Sequence, residues 1–267
     1  MIFLKSENEI NKLRESAQLV SQTLAEVAKF VKPGNTTYKL DQVAEEFIRK
    51  NNAKPAFKGY GDRKNPFPAT LCISINDQVV HGIPGDYKLQ VGDIVSVDCG
   101  VNKNGYFGDS AYTFIVESVE PETKKLLTTT IESLYKGIDK SIHGNKIGDI
   151  SQAIQHHCEN SGFGVVRDLV GHGLGKNLHE EPSVPNFGKS GTGPRLRSGM
   201  VLAIEPMITL GSARVKTLSD KWTVVTADGS VSAHYEHDVV IRENEAEILS
   251  TFSYIEEITG IQLDTFV

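Results

Sequence analysis

Ile94-Val95-Ser96-Val97-Asp98-Cys99-Gly100-Val101-Asn102-Lys103-Asn104-Gly105-Tyr106-Phe107-Gly108-Asp109-Ser110-Ala111-Tyr112-Thr113-Phe114-Ile115-Val116 reads as two strands folded back on one turn. Its ends are rich in β-branched and aromatic residues, and Asn104-Gly105 is the dipeptide that a two-residue hairpin turn favours. With those two residues as the turn, Asp98 opposes Ala111. Asp109 lies two residues from Ala111 on the same strand, and so on the same face as Asp98. If the turn moves to Lys103-Asn104, Asp98 pairs directly with Asp109. Either register puts two carboxylates on one face of a ribbon. Like charges at that spacing destabilise a sheet unless a cation neutralises them.

Outward from the hairpin the period changes from two to nearly four. Ser6-Glu7-Asn8-Glu9 has the form of a capping box. Apolar residues then recur at Ile10, Leu13, Ala17, Val20, Leu24, Val27, Ala28 and Val31, which predicts a long helix stopped by Pro33-Gly34. A second helix carries Leu40, Val43, Ala44, Phe47 and Ile48. After the hairpin the pattern repeats. A helix over Pro121 to Ile142 ends before Gly144, and a shorter one carries Ile147, Ile150, Ala153, Ile154 and Cys158.

The two halves match at an offset of 110, with Gly34-Asn35 on Gly144-Asn145, Leu40 on Ile150 and Ala44 on Ile154. Met200-Val201-Leu202-Ala203-Ile204, Trp222-Thr223-Val224-Val225 and Val239-Val240-Ile241 supply further strands. The expectation is an α+β fold built on a duplicated unit, residues 1–118 and 119–250, within one domain over 1–267.

The bulk properties bound the function. The chain has 267 residues, 39% hydrophobic and 23% charged, ordinary for a globular protein. Its net charge of −6 and lack of a basic run argue against nucleic-acid recognition. No apolar stretch approaches the roughly 18 residues of a membrane span. The N-terminus lacks the basic start and apolar core of a signal peptide. Three cysteines, Cys72, Cys99 and Cys158, without C-x-x-C spacing suit a reducing cytoplasm rather than a disulfide framework.

More candidate ligands stand beside apolar runs. Glu205 ends Leu202-Ala203-Ile204, and Glu236 precedes Val239-Val240-Ile241. A carboxylate so placed is costly to bury without a partner. His172 lies in Gly171-His172-Gly173, where small neighbours leave the imidazole accessible. His81 and His179 sit in equally distinctive surroundings, whereas His143, His156, His157, His234 and His237 read as surface residues or residues behind the site. Asp98, Asp109, His172, Glu205 and Glu236 together form a set able to hold two adjacent divalent cations, a way to activate water for amide hydrolysis.

The segments Val80-His81-Gly82-Ile83-Pro84, Asp98-Cys99-Gly100, Gly108-Asp109-Ser110, Gly171-His172-Gly173-Leu174-Gly175, Leu178-His179-Glu180-Glu181-Pro182, Ile204-Glu205-Pro206 and Tyr235-Glu236-His237 resemble those of the type I methionine aminopeptidases. The likeness runs from the first helix to about Ser250. It implies the pseudo-twofold pita-bread fold, an antiparallel sheet with helices on its outer face.

It also implies roles. Asp98 would chelate one metal, Asp109 and Glu236 would bridge two, and His172 and Glu205 would complete the second metal's shell. Glu205 would also shuttle the proton, and His81 and His179 would contact substrate without binding metal. Cys72 and Trp222 match positions of the methionine pocket, with Tyr60 and Phe67 as further candidates. Asn76 and Ser232 resemble a site for one Na+ or K+ ion. The divalent ions would be Fe(II), Mn(II) or Co(II).

The resemblance further implies nascent polypeptides with N-terminal methionine as partners, transient association with the ribosome and the short bacterial form, and the lack of any extra dimerisation segment makes a monomer the default. The chain departs from the pattern at Gly61-Asp62-Arg63-Lys64-Asn65-Pro66-Phe67-Pro68, a stretch longer than the usual pocket loop, at Phe107, where many members carry histidine, and at Leu178, where an aromatic is common. Prolidases share the fold and ligands but usually carry a large N-terminal domain, for which a first helix starting near residue 6 leaves no room. Pita-bread modules that bind without metal have lost ligands, whereas all five are present here.

Overall fold

A computed structural model describes residues 1–260; residues 261–267, at the end of the expected domain, lie outside the described residues. Helices α1 (Glu7–Ala28) and α2 (Thr37–Lys50) lead into β1 (Lys54–Pro55), β2 (Leu71–Ile75), β3 (Gln78–Val80), β4 (Ile94–Lys103) and β5 (Tyr106–Ile115). Helices α3 (Pro121–Ile138) and α4 (Ile147–Asn160) open the second half. They lead into β6 (Gly164–Val165), β7 (Val170–Gly173), β8 (Glu180–Pro185), β9 (Val201–Ile204), β10 (Met207–Thr209), β11 (Val215–Thr217), β12 (Val224–Thr226), β13 (Ser232–His234), β14 (His237–Ile241), β15 (Ala246–Ile248) and α5 (Ser253–Thr259).

The hairpin adopts the Asn104-Gly105 register. Asp98 faces Ala111 and Gly100 faces Asp109, and both turn residues have the positive φ that such a turn demands, 54° and 80°. Strand β2 pairs with the other edge of β4 and sets Cys72 beside Asp98. In the second half β14, β9 and β7 run antiparallel in the middle of a five-stranded sheet. Every pairing between named strands is antiparallel.

The helices stop earlier than their apolar stripes. Helix α1 ends at Ala28 rather than Val31, and α3 at Ile138 rather than Ile142. The reason is the same in each half: an asparagine amide reaches back to a carbonyl just past the helix. Asn35 Nδ2 donates to Phe30 O at 2.8 Å and Asn145 Nδ2 to Lys140 O at 2.9 Å, so those carbonyls have a partner without a further turn. At the other end of α1, the Glu9 carboxylate accepts both the Ser6 N–H (3.0 Å) and the Ser6 hydroxyl (2.9 Å). The strand expected over Trp222–Val225 begins only at Val224, because Asp220 Oδ1 captures the N–H groups of Trp222 and Thr223 in a turn.

The internal repeat is structural. Helices α2 and α4 both have 14 residues and begin at Thr37 and Ile147. Thr36 bridges Lys88 and Lys146 bridges Arg195, each antiparallel. Gly34 N–H donates to Leu89 O and Gly144 N–H to Leu196 O, with Leu89 and Leu196 returning bonds to Asn35 and Asn145. In each half the chain then turns at a glycine of positive φ, Gly92 or Gly199, into a buried strand, β4 or β9. Asp98 lies on the first and Glu205 just past the end of the second. The repeat thus delivers one carboxylate from each half. Leu40 and Ile150, matched in sequence, are both fully buried in the same apolar core.

Candidate metal centre

The segment 234–238 is laced to β5 by hydrogen bonds that cross between the halves. Thr113 Oγ1 donates to His234 O (2.7 Å) and accepts His234 N–H (3.0 Å). Glu236 N–H donates to Ala111 O (2.9 Å), Ser110 Oγ to Glu236 O (2.6 Å), and Asp109 N–H to Asp238 Oδ2 (2.8 Å). These bonds hold Glu236 against Asp109. His172 enters from β7, whose neighbour β9 ends next to Glu205. One ligand-capable atom from each of Asp109, His172 and Glu236 falls within 4.8 Å of the others, and all three residues are buried. Glu205 joins them, with Oε1 at 3.6 Å from His172 Nε2. Asp98 shares the β4–β5 face with Asp109 and lines the same cavity.

Four carboxylates so close cannot all be charged without a counter-charge. Burial pushes Asp98 up to about 7 and Glu205 up to about 8. Asp109 and Glu236 are also held well above the usual carboxylate range, through burial first and then through their carboxylate neighbours. Asp98 Oδ1, Asp109 Oδ1 and Glu236 Oε1 are buried with no hydrogen-bond partner. Buried polar atoms are seldom left this way, and a cluster of anionic oxygens missing its partner fits a cation.

His172 is prepared in the same sense. Its Nδ1 lies 2.9 Å from Gly173 O, which calls for a proton there and leaves Nε2 unprotonated toward Asp109 and Glu205. Burial, with His179 close by, lowers its pKa to about 3, so it is neutral at pH 7. Four carboxylates and one neutral imidazole are donors that could hold a divalent cation.

These residues open on a cavity of about 290 Å³. That is near the small end of ligand pockets, about 300–1,000 Å³, and its wall joins the carboxylates to apolar side chains. Tyr60, Phe67 and Cys72 line it. Trp222 stands behind that lining, its ring 5.2 Å from Phe67 and 6.2 Å from His81, both edge-on. Trp222 Nε1 donates to Asn65 O at 3.1 Å, which ties the Phe67 loop down. His179 stands at the accessible mouth, 4.2 Å from the His172 ring centroid, with its Nδ1 on the Tyr60 hydroxyl.

His81 holds a φ of 59°, rare for a residue with a side chain, and such strain concentrates at functional sites. Burial, with His234 and His179 nearby, lowers its pKa to about 4. A buried ion pair, Lys5 Nζ to Glu180 Oε2 at 2.5 Å, pins the strand after His179 to the N-terminal segment. Asn76 and Ser232 lie apart from this cluster. Ser232 N–H donates to Asn76 O (2.9 Å), and Asn76 Oδ1 accepts Ile94 N–H.

Asp238 and Asn186 were not legible as residues around the site, and for His234 the sequence left both the surface and a place behind the site open. His143 and His156 are on the surface, but His234 and His237 are almost wholly buried. His234 Nε2 lies 3.6 Å from Glu205 Oε2, and Asn186 Nδ2 donates to Glu205 O at 2.9 Å. The available signal for His234 is its spacing: two residues before Glu236, it falls on the same side of an extended segment.

The geometry has clear relatives. The profile of Metallopeptidase family M24 matches residues 11–243. A methionine aminopeptidase of Clostridium perfringens is 55% identical over 251 residues, 94% of this chain and 99% of its own. Methionine aminopeptidase 1 of Bacillus subtilis is 50% identical over 94% of this chain and 99% of its own. The crystal structure of a methionine aminopeptidase from Thermotoga maritima superposes with a TM-score of 0.91 at 45% identity, over 94% of this chain and all of that one. A prolidase from Pyrococcus horikoshii OT3 shares the fold at a TM-score of 0.75 and 21% identity, but this chain covers only 63% of it. No helix among the described residues is long and apolar enough to cross a membrane. With its two matched α+β halves closing on a buried carboxylate–imidazole cluster, the chain belongs to metallopeptidase family M24, and within it to the methionine aminopeptidases.

Proposed function

We propose that the chain removes N-terminal methionine from nascent polypeptides when the second residue is small. The observation that carries this reading is the juxtaposition of the partnerless carboxylate oxygens with a small cavity walled in part by apolar side chains. In it, Asp98, Asp109, His172, Glu205 and Glu236 hold two divalent ions, Fe(II), Mn(II) or Co(II). The chemistry that such a pair supplies when bound is Lewis-acid activation of water and of the scissile carbonyl.

The chain's own residues do the rest. Glu205, set in the cluster with its Oε1 facing His172, takes the proton from the attacking water and passes it to the leaving amine. His179, accessible at the mouth, donates to the carbonyl oxygen, and His81 steadies the departing nitrogen. Tyr60, Phe67 and Cys72, backed by Trp222, enclose the methionine side chain, and closeness of fit rejects larger ones. Asn76 and Ser232 offer oxygens for one Na+ or K+ ion. The described halves work as one domain, in the cytoplasm, as a monomer in transient contact with the ribosome.

The test is release of methionine from a Met-Gly-Met-Met peptide by purified protein supplied with Fe(II) under anaerobic conditions, Mn(II) or Co(II). No release with any of the three sinks the reading, and preferential cleavage of Xaa-Pro peptides points instead to the prolidases. Elemental analysis of protein purified without added cations identifies the ion and its number per chain.

A further inference from the structure

Glu205 is bracketed by two imidazoles. Its Oε1 faces His172 Nε2 at 3.6 Å, and its Oε2 faces His234 Nε2 at the same distance. His172 belongs to the metal-binding set, whereas His234 does not. Its Nε2 is buried without any hydrogen-bond partner, and its side chain is 2% exposed. Its backbone cannot drift. Thr113 Oγ1 both donates to His234 O and accepts its N–H, Ser96 Oγ holds Thr113 Oγ1 at 2.8 Å, and His234 pairs with Met207 across β10 and β13. A clamped backbone and a partnerless ring nitrogen aimed at a carboxylate are the features of a group built to orient it.

We propose that His234 is a positioning residue for Glu205. In the Nε2–H tautomer its imidazole donates to Oε2 and so commits Oε1 to the reacting side. The inference rests on Glu205 being the proton carrier of the proposed reaction. The separation of 3.6 Å is a few tenths beyond a hydrogen bond, and catalytic hydrogen bonds commonly tighten only when substrate is in place. The Asn186 amide fixes the backbone carbonyl of Glu205 from the other direction. The side chain is therefore the part of Glu205 left to be aimed, and His234 is the donor placed to aim it.

His234→Leu removes the donor at similar volume, and His234→Gln keeps an N–H near the same place. With the metal-loaded protein and a Met-Gly-Met-Met peptide, the leucine variant is expected to lose about 10- to 100-fold in kcat. KM and metal content by elemental analysis should be unchanged, and the glutamine variant should stay within about threefold of wild type. In a Glu205→Gln background His234→Leu should cause no further loss, because its partner's role is already gone. Full kcat in His234→Leu, or an additive loss in the double variant, overturns the proposal. Loss of bound metal in His234→Leu also overturns it, since His234 would then be a ligand. If the leucine variant does not fold, His234→Gln decides alone: a fall of tenfold or more overturns the proposal. An inactive wild-type protein sinks the proposed reaction itself, a result distinct from active wild type with indifferent His234 variants.

Discussion

Asp109 and His179 have two different roles in the proposed reaction, and each can be tested alone. Asp109 is buried, pressed against other carboxylates, and its Oδ1 has no protein partner. Asp109→Asn removes charge where the cluster needs it, so metal retention should weaken by at least the 10- to 100-fold typical of an outer partner. Titration of metal-stripped protein by calorimetry reads this, and unchanged affinity would exclude Asp109 from the set. His179 is accessible at the mouth beside Tyr60. His179→Ala should keep its metal and lose about 100- to 1,000-fold in kcat, as when a donor to a developing oxyanion is removed. Normal turnover would mean that the role assigned to His179 is wrong.

Asp109 was legible from chemistry and spacing, as was the Asp98–Asp109 face, whereas the role of His179 came from the family resemblance. For His234 the sequence left open whether it lies on the surface or behind the site. Whether a histidine beside a strand turns inward depends on what crosses over it, here the Thr113 hydroxyl from the other half.

At the scale of elements, the contact between α1 and the hairpin holds the site up from outside. Gly108, next to Asp109, lies so near α1 that an added Cβ would come within 2.4 Å of Ala17 N and 2.6 Å of the Ser16 carbonyl carbon. Backbone cannot give way as a side-chain tip can. Gly108→Ala should therefore cost at least about 1–3 kcal/mol in chemical denaturation, the range for overpacking. Gly85, where nothing lies within 4 Å of the new Cβ, is the control and should stay within about 0.5 kcal/mol. Equal stability of the two variants would show that α1 is not seated as described. The type and order of the major helices followed from the periodicity, and α2 and α4 match at the expected offset. Their neighbours' ends did not follow. Asn35 and Asn145 end α1 and α3 early through side-chain bonds that an apolar stripe does not encode.

For the whole molecule, the carboxylate cluster makes stability depend on pH and on metal together. Asp98 and Glu205 have folded pKa values of about 7 and 8 against 3.8 and 4.5 for free groups, and Asp109 and Glu236 are displaced in the same direction. With raised pKa values, the metal-free fold holds more protons than the unfolded chain does. The stability these carboxyls contribute is full below about pH 4 and is lost as pH rises through their folded values. The buried His172 and His237, lowered from 6.5 to about 3, act oppositely, but their effect is complete by about pH 6.5. Chelator-treated protein should therefore lose thermal stability between about pH 6.5 and 8.5. Added Mn(II) should restore it most at the alkaline end. A flat or rising Tm without metal across that window would mean that the cluster is not carrying the burial cost described.

The sequence by itself determined the class of fold, its internal repeat and the residue types of the centre. Periodicity, turn dipeptides and the placing of carboxylates beside apolar runs are local properties, set by backbone geometry and the cost of burying charge. Only the tertiary structure decided which of those groups meet. Glu236 reaches Asp109 because hydrogen bonds lace 234–238 to β5, Trp222 moves behind the pocket because Asp220 turns its chain, and His234 faces Glu205 because Thr113 clamps its backbone. Each is a contact between residues distant in the chain, or a turn that competes with a strand. The free energy of such choices lies in the assembled halves rather than in either segment alone.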